Sequence, residues 1–176
     1  IALDTSGSMG GEKIELTKDA ANQFIHWLTR RDFISIAVFS EKAELIQEHT
    51  PLNEKTIVSD KIHKIQAGGG TNLSAGWLQG LSELKENFVQ GDLHYALVMT
   101  DGQANSGITN HDGLKKIGEN YLSQNIRTTT LGFGSDFDEQ LLKSIADSSG
   151  GRFYYIATTE DISKAFNQEF GELMSI

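Results

Sequence analysis

Two long apolar runs, at residues 33–39 and 95–99, constrain the fold of this chain more than any other feature. Ser35 is the one hydroxyl residue in the first run, and the second is polar only at the Tyr95 hydroxyl. Such runs are typical of strands buried on both faces, because both alternating sets of side chains must then be apolar. Helices have to cover such strands from both sides, so the sequence favours an α/β fold.

Stretches with a helical spacing of apolar side chains separate the predicted strands. In residues 12–30, Leu16, Ala20, Phe24 and Leu28 recur on one face. The predicted helices are residues 12–30, 73–88, 114–121, 137–145 and 159–173. A further helix, after residue 53, is capped by Asn53 and carries Val58, Ile62 and Ile65. Gly150 and Gly151 stop the helix at residues 137–145. The predicted strands are residues 1–4, 33–39, 43–47, 95–99, 127–133 and 153–156.

The connection at residues 40–42 is the only one of hairpin length, so residues 43–47 should return antiparallel as an edge strand. We therefore expect residues 1–176 to form a single domain with a doubly wound, Rossmann-like sheet. The sheet should be six-stranded and mostly parallel, with one antiparallel edge strand and helices on both faces. Ligands of such sheets bind beyond the carboxyl ends of the strands, where the winding reverses.

A short polar turn follows the first predicted strand and carries Asp4, Ser6 and Ser8 at alternate positions. One carboxylate and two hydroxyls in a turn that contains glycine can all point at one centre. Small oxygen ligands of this kind suit a hard divalent cation. The alternative is that these residues only cap the following helix, since Ser and Asp are favoured there. Capping would need only one of them.

Two later stretches add oxygen ligands at comparable places. Thr71 lies in a glycine loop before a predicted helix, and Asp101 follows the second apolar strand in the sequence Thr-Asp-Gly. Together with the first turn, these motifs resemble the metal-ion-dependent adhesion site (MIDAS) of the von Willebrand factor type A (VWA) domain family. That site consists of Asp-x-Ser-x-Ser, a lone Thr and Thr-Asp-Gly, in this order. All five ligand positions are matched, by Asp4, Ser6, Ser8, Thr71 and Asp101.

The resemblance covers nearly the whole chain and implies a function. In the family, the three hydroxyls bind the ion directly and the two aspartates bind it or hold its waters. An open coordination position then accepts an Asp or Glu side chain of a partner protein, which makes the domain a non-enzymatic, adhesion-type interaction module. The resemblance also implies that Asp4 and Asp101 end neighbouring strands. Mg²⁺ or Mn²⁺ is expected because such a compact shell can retain waters, and Ca²⁺ is possible.

Two other functions have to be weighed against this one. A structural metal site inside a larger assembly would have the same sequence. A metal-dependent hydrolase is disfavoured, because Ser6 stands where a haloacid dehalogenase-like turn needs a second Asp and where a Gly-x-Ser-x-Gly turn needs its first glycine. The glycine loop before Thr71 has no lysine and therefore does not match a phosphate-binding loop. We therefore expect that this chain is not an enzyme.

Composition narrows the partners. Fifteen basic and 24 acidic residues give a formal charge of -9, which disfavours nucleic acid and anionic membranes as partners. No apolar run is long enough to cross a bilayer, so no direct membrane insertion is expected. The absence of cysteine excludes disulfides and thiolate metal sites and fits extracellular, cell-surface and cytoplasmic locations equally.

The first residues of the sequence predict that the chain is a fragment of a longer protein. The first strand has few residues before Asp4, whereas a central strand usually has about 5–6. The chain also begins with Ile. We therefore expect the domain to lack the start of its first strand and to have been cut from a longer protein.

The other polar residues suit ordinary roles. The five histidines, which lack metal-ligand spacing, are expected on the surface or on helices: His26, His49, His63, His94 and His111. Trp27 and Trp77 should lie on helices in or near the core. Asp136 and Asp138 should cap a helix, although they could border a second cation site. Asn72, Gln103 and Asn105 lie beside the predicted site and are expected to support it or to contact a partner.

Overall fold

The computed structural model describes residues 1–171, which form a six-stranded sheet with the strand order β3-β2-β1-β4-β5-β6. The strands are β1 (Ala2–Asp4), β2 (Phe33–Phe39), β3 (Ala43–Pro51), β4 (His94–Thr100), β5 (Ile126–Phe133) and β6 (Gly150–Ile156). The helices are α1 (Glu12–Trp27), α2 (Lys55–His63), α3 (Leu73–Glu86), α4 (His111–Leu122), α5 (Glu139–Ser148) and α6 (Thr159–Phe170), and a short 3-10 turn spans Gly7–Met9.

The sheet reverses its winding at β1, as predicted. This strand pairs in parallel with β2 on one side and with β4 on the other. The chain builds outward from β1 to β3, returns to β4, and then builds outward in the other direction to β6. Asp4 ends β1 and Asp101 follows β4, so the two carboxylates lie at the carboxyl edge beside the reversal, where such folds bind ligands.

Helices cover both faces of the sheet. One core lies between the sheet and α1, α2 and α6, and includes Leu3, Ile25 and Phe166. The other lies beneath α3, α4 and α5 and includes Phe39 and Trp77. Burial of each of these large side chains contributes about 1.5–3 kcal/mol. The two cores explain why β2 and β4 are apolar on both of their faces.

The antiparallel edge strand β3 pairs with β2 as predicted, but it is longer than the predicted residues 43–47. Its ladder runs from Phe39 opposite Ala43 to Phe33 opposite Pro51, with register shifts on both sides of Ile36. Most of its residues are half-buried or exposed. The predicted length was too short because an edge strand with one solvated face need not be apolar.

Several predicted ends of helices and strands differ from the structure. The first helix ends at Trp27 and not at residue 30, because Leu28 is extended and Lys55 Nζ donates to the carbonyls of His26 and Leu28. The prediction that Asn53 caps α2 is wrong, since Glu54 holds that position. The glycines at 150 and 151 follow the end of α5 as predicted, but they already belong to β6, which begins three residues earlier than expected.

The last helix begins as predicted, with a capping box between Thr158 and Asp161. Ile162, Phe166 and Phe170 form its buried face. Leu173, the last predicted member of this face, lies outside the described residues. Among residues 1–171, no helix has the length and apolar character needed to cross a membrane.

Two of the five histidines are not where the sequence placed them. His26, His63 and His111 are exposed on helices, as predicted. His49 and His94 instead lie in strands and are half-buried and buried, and each stacks on a phenylalanine ring. Stacking on Phe88 and the bond from the Val89 N–H to Nε2 (3.2 Å) hold the ring of His94, whose buried Nδ1 atom has no partner within residues 1–171. Trp27 and Trp77 both lie on helices, half-buried and fully buried.

Candidate metal centre

Asp4 ends β1 with its side chain fully buried. Its Oδ1 atom accepts the backbone N–H of Ser6 at 2.8 Å, and its Oδ2 atom accepts the hydroxyl of Thr100 at 2.5 Å. Burial raises the pKa of Asp4 above its ordinary value, hydrogen bonds from Ser6 and Thr100 partly offset this, and the negative charge of Asp101 adds to the rise. A nearby cation would therefore stabilise the ionised form of Asp4.

The hydroxyls of Ser6 and Ser8 lie side by side in the turn after β1. Their Oγ atoms are 3.1 Å apart, and Ser6 is buried whereas Ser8 is exposed. Two backbone hydrogen bonds attach this turn to the glycine loop, from Gly7 N to Gly69 O (2.9 Å) and from Gly68 N to Thr5 O (2.7 Å). The turn that holds two predicted ligands is thus fixed to the loop that holds the third hydroxyl.

Thr71 is fixed through its backbone. Its N–H donates to Asn105 Oδ1 (2.9 Å), and its carbonyl accepts the N–H groups of Asn105 and Ser106 at 3.0 and 3.1 Å. The residue is 2% exposed, and its hydrogen bonds to residues 1–171 are all made by its backbone atoms. This oxygen of the side chain is not among the side-chain atoms that are buried without a partner, so it is accessible to an additional ligand.

Asp101 is fully buried in the turn after β4. Its Oδ1 atom accepts the N–H of Gln103 at 3.3 Å, and its carbonyl accepts the N–H of Asp138 at 3.1 Å. The next residue, Gly102, has a φ of +72°, and its N–H donates to the Thr100 hydroxyl that also donates to Asp4. One threonine therefore connects the two turns that carry the carboxylates.

Five oxygen-bearing side chains thus project from loops at one edge of the sheet: Asp4, Ser6, Ser8, Thr71 and Asp101. The described residues contain no cluster of three or more His, Cys, Asp or Glu side chains suited to a metal. This set is different, because it combines two buried carboxylates with three hydroxyls. Oxygen ligands of this type fit a hard divalent cation such as Mg²⁺, whose charge would balance two carboxylates.

Lys13 is the residue at this edge that the sequence analysis missed. Its Nζ atom lies 3.3 Å from Asp101 Oδ2 and 2.9 Å from Asp136 Oδ1. A signal was present in the sequence: Lys13 lies in the first turn of α1, where the helix dipole favours acidic residues. A cation in that position indicates a negative group close by.

The neighbouring polar residues have clear roles. Asp138 caps α5 as predicted, but Asp136 does not and pairs with Lys13 instead. Gln103 donates to the carbonyl of Asp136 (2.9 Å) and to its Oδ2 atom (3.2 Å). Asn105 holds Thr71, and Asn72 caps α3 by accepting the N–H of Ala75. All three amide residues therefore support the loops of the site.

The family model of the von Willebrand factor type A domain matches residues 1–168. The chain belongs to this family. The VWA match includes all five predicted ligand positions, because Asp101 lies well inside it.

Curated relatives are longer than this VWA chain. The uncharacterized protein sll0103 of Synechocystis sp. is 27% identical over 176 residues, which is 100% of this chain and 41% of that protein. Inter-alpha-trypsin inhibitor heavy chain H3 of Homo sapiens is 27% identical over 161 residues, which is 85% of this chain and 18% of that protein. The chain therefore spans less than half the length of these relatives.

Solved structures show the same fold. BatB from Bacteroides thetaiotaomicron superposes with a TM-score of 0.84 at 16% identity and covers 99% of this chain and 97% of its own. Proximal thread matrix protein 1 from the mussel byssus, with a zinc-occupied MIDAS motif, has a TM-score of 0.75 at 16% identity. The match covers 98% of this chain and 44% of that protein's chain. At such identities the likeness establishes the fold alone.

Proposed function

We propose that this VWA domain is a protein-interaction module that binds an acidic side chain of a partner through a divalent cation. The cation would be held by Asp4, Ser6, Ser8, Thr71 and Asp101. The observation that carries the proposal is the pair of fully buried carboxylates, Asp4 and Asp101, at the reversal of the sheet. Lys13 pairs with Asp101, but no basic side chain within residues 1–171 forms an ion pair with Asp4, and a buried negative charge is costly unless a cation compensates it.

The ligands favour Mg²⁺ or Mn²⁺, with Ca²⁺ as a further possibility. Hydroxyl and carboxylate oxygens suit all three ions, and Mg²⁺ is usually held by few protein ligands together with waters. The zinc-occupied MIDAS of the mussel byssus protein supports a divalent cation at this place in the fold. The bound ion would supply a Lewis-acidic position open to a partner's carboxylate.

Electrostatics favours an acidic group as the ligand from the partner. With a formal charge of -9, the domain repels carboxylates over most of its surface. A bound dication would reverse the sign of the local charge at the site, so an Asp or Glu would be attracted there. Curated relatives named as inhibitor heavy chains carry no enzymatic name, which supports an interaction module rather than an enzyme.

A structural metal site is the second candidate, and the burial of four of the five residues favours it. Ser8 is the exposed member of the set, and it would give a partner access to the ion. Hydrolysis is disfavoured because the hydroxyls of Ser6 and Ser8 hydrogen-bond each other rather than a base.

Capture of partners from the native source, with and without EDTA, tests the proposal. The intact domain should retain a partner in excess Mg²⁺ and lose it in EDTA or after Asp101→Ala. Asp92→Ala is a matched control, because Asp92 is exposed just before the start of β4, at the opposite edge of the sheet. Replacing one acidic residue of the captured protein by alanine should also abolish capture. Capture that is unaffected by EDTA and by Asp101→Ala would contradict the proposal and leave a structural role for the metal.

A further inference from the structure

We propose that Lys13 sets the metal affinity of this site, because its ammonium competes with the cation for Asp101 and moves onto Asp136 when the cation binds. The inference rests on the proposed function only in that a cation binds Asp101. It concerns a residue outside the five predicted ligands.

The ammonium of Lys13 already bridges two carboxylates. It donates to Asp101 Oδ2 at 3.3 Å and to Asp136 Oδ1 at 2.9 Å. The two acceptors differ in their surroundings, since the side chain of Asp101 is 0% exposed and that of Asp136 is 63% exposed. The Lys13–Asp101 pair is therefore the less screened of the two, and it neutralises a charge that has no water around it.

A dication at the predicted ligands would oppose this arrangement. Lys13 and the cation would share the carboxylate of Asp101, and their positive charges would repel each other at short range. Moving the ammonium fully onto Asp136 relieves the repulsion and keeps one ion pair. By linkage, the free energy by which the Lys13–Asp101 pair stabilises the metal-free protein is subtracted from the free energy of metal binding.

The surroundings of Lys13 provide the second position. Gly134 has a φ of +88°, and a Cβ atom there would lie 2.4 Å from Lys13 Cε, so this glycine leaves the space through which the lysine passes. Gln103 holds Asp136 by donating to its carbonyl and to its Oδ2 atom.

Calorimetric titration of the intact chain with Mg²⁺ and with Mn²⁺ tests this role. Lys13→Gln should bind either ion at least about fivefold more tightly than the unaltered protein, the lower end of typical coupling between sites. Lys143→Gln, which removes the same charge from an exposed pair on α5, should leave the affinity unchanged. In EDTA, Lys13→Gln should melt at a lower temperature because Asp101 loses its counter-ion. Lys13→Met, which keeps the aliphatic stem, should behave in the same way.

Asp136→Asn tests the second position. When Lys13 is present, this change should weaken metal binding, because the ammonium then pairs with Asp101 alone. In the Lys13→Gln background it should have no effect on metal binding. A persistent effect in that background would mean that Asp136 acts on the cation directly, and would overturn the proposed movement. Metal binding that Lys13→Gln leaves unchanged or weakens would overturn the proposal while the function stands. Absence of metal binding by the unaltered protein would overturn both.

Discussion

Thr71 and Thr100 are two buried threonines at the site whose hydroxyls have opposite surroundings. Thr71 makes its hydrogen bonds to residues 1–171 through backbone atoms, and its hydroxyl is accessible, whereas the Thr100 hydroxyl donates to Asp4 and accepts the N–H of Gly102. Thr71→Val should therefore leave stability in EDTA unchanged or raise it by up to about 1 kcal/mol, because no protein hydrogen bond is lost. It should weaken Mg²⁺ binding at least about tenfold, since loss of even an outer-shell group of a metal site typically costs that much.

Thr100→Val serves as the matched control for this change. It removes a hydroxyl of the same size, but it leaves a carboxylate oxygen and a backbone N–H unpaired in the core. The free energy of unfolding in EDTA should fall by about 1–3 kcal/mol. Urea unfolding and calorimetry on both variants separate the two roles. Equal stability losses for the two threonines would contradict the assignment of Thr71 as a ligand.

The five candidate ligands could be predicted from the sequence because their chemistry is local. Each is a small oxygen-bearing residue at the end of a strand or in a glycine loop, and three ordered motifs identify the set. Lys13 could not be predicted in the same way, since its partners Asp101 and Asp136 are distant in the chain and are brought to it by β4 and β5. Asp136 was assigned as a cap for the same reason.

At the scale of elements, α3 positions Thr71 by packing closely on the sheet. Gly76 faces β2 so closely that a Cβ atom would lie 2.1 Å from the ring of Phe39, whereas a Cβ atom at Gly80 would lie 3.9 Å from its nearest neighbour, the Cβ of Ala2. Gly76→Ala should therefore destabilise the protein by about 1–3 kcal/mol through overpacking.

Gly80→Ala is the matched change in the same helix and should stabilise the protein by up to about 1 kcal/mol, because alanine is the better helix former and finds room there. Urea unfolding curves with equal slopes give both differences. Similar stabilities for the two variants would mean that α3 does not lie against β2 as closely as described.

A polar contact attaches α6 to the sheet beside its apolar face. Glu169 accepts the hydroxyls of Thr129 and Tyr154, each at 2.7 Å. Burial and the bond to Glu169 raise the pKa of Tyr154 to about 12. Between the unfolded value near 10 and this value, the folded protein keeps a proton that the unfolded chain has lost, so stability falls as the pH rises.

Tyr154→Phe should remove that part of the pH dependence. At pH 8 the variant should be less stable by about 1 kcal/mol, because Glu169 loses a hydrogen bond. The difference between the two proteins should shrink as the pH is raised from about 10 to 12, as followed by urea unfolding. A difference that stays constant over this range would show that Tyr154 titrates alike in both states.

The central strands were predictable because burial on both faces leaves a strong pattern, and the ends of elements were less so. The sequence predicts that β6 starts at residue 153, but Gly151 already lies so close to Thr128 that a Cβ atom would be 1.9 Å from its carbonyl oxygen. Only the neighbouring strand makes glycine necessary there. The end of α1 likewise depends on a distant residue, because Lys55 of α2 donates to the carbonyls of His26 and Leu28.

At the scale of the whole molecule, topology brings the motifs together. The three loops are far apart in sequence, but β1 and β4 are neighbours and α3 begins at the same edge. Hydrogen bonds then connect the loops, from Gly7 to Gly69 and from Thr100 to Asp4. The alternation of strands and helices predicted this edge as the binding site, and the order of the motifs predicted which residues lie there.

Thermal unfolding of the intact chain, in EDTA and in excess Mg²⁺, tests most directly whether this edge binds a cation. A metal that binds only the folded protein should stabilise it by about 2.7 kcal/mol at a hundred times its dissociation constant, which raises the midpoint by about 5–10 °C. Asp101→Ala should fold, as judged by circular dichroism, and lose the shift. Equal midpoints with and without Mg²⁺, or a shift that Asp101→Ala leaves intact, would contradict the account.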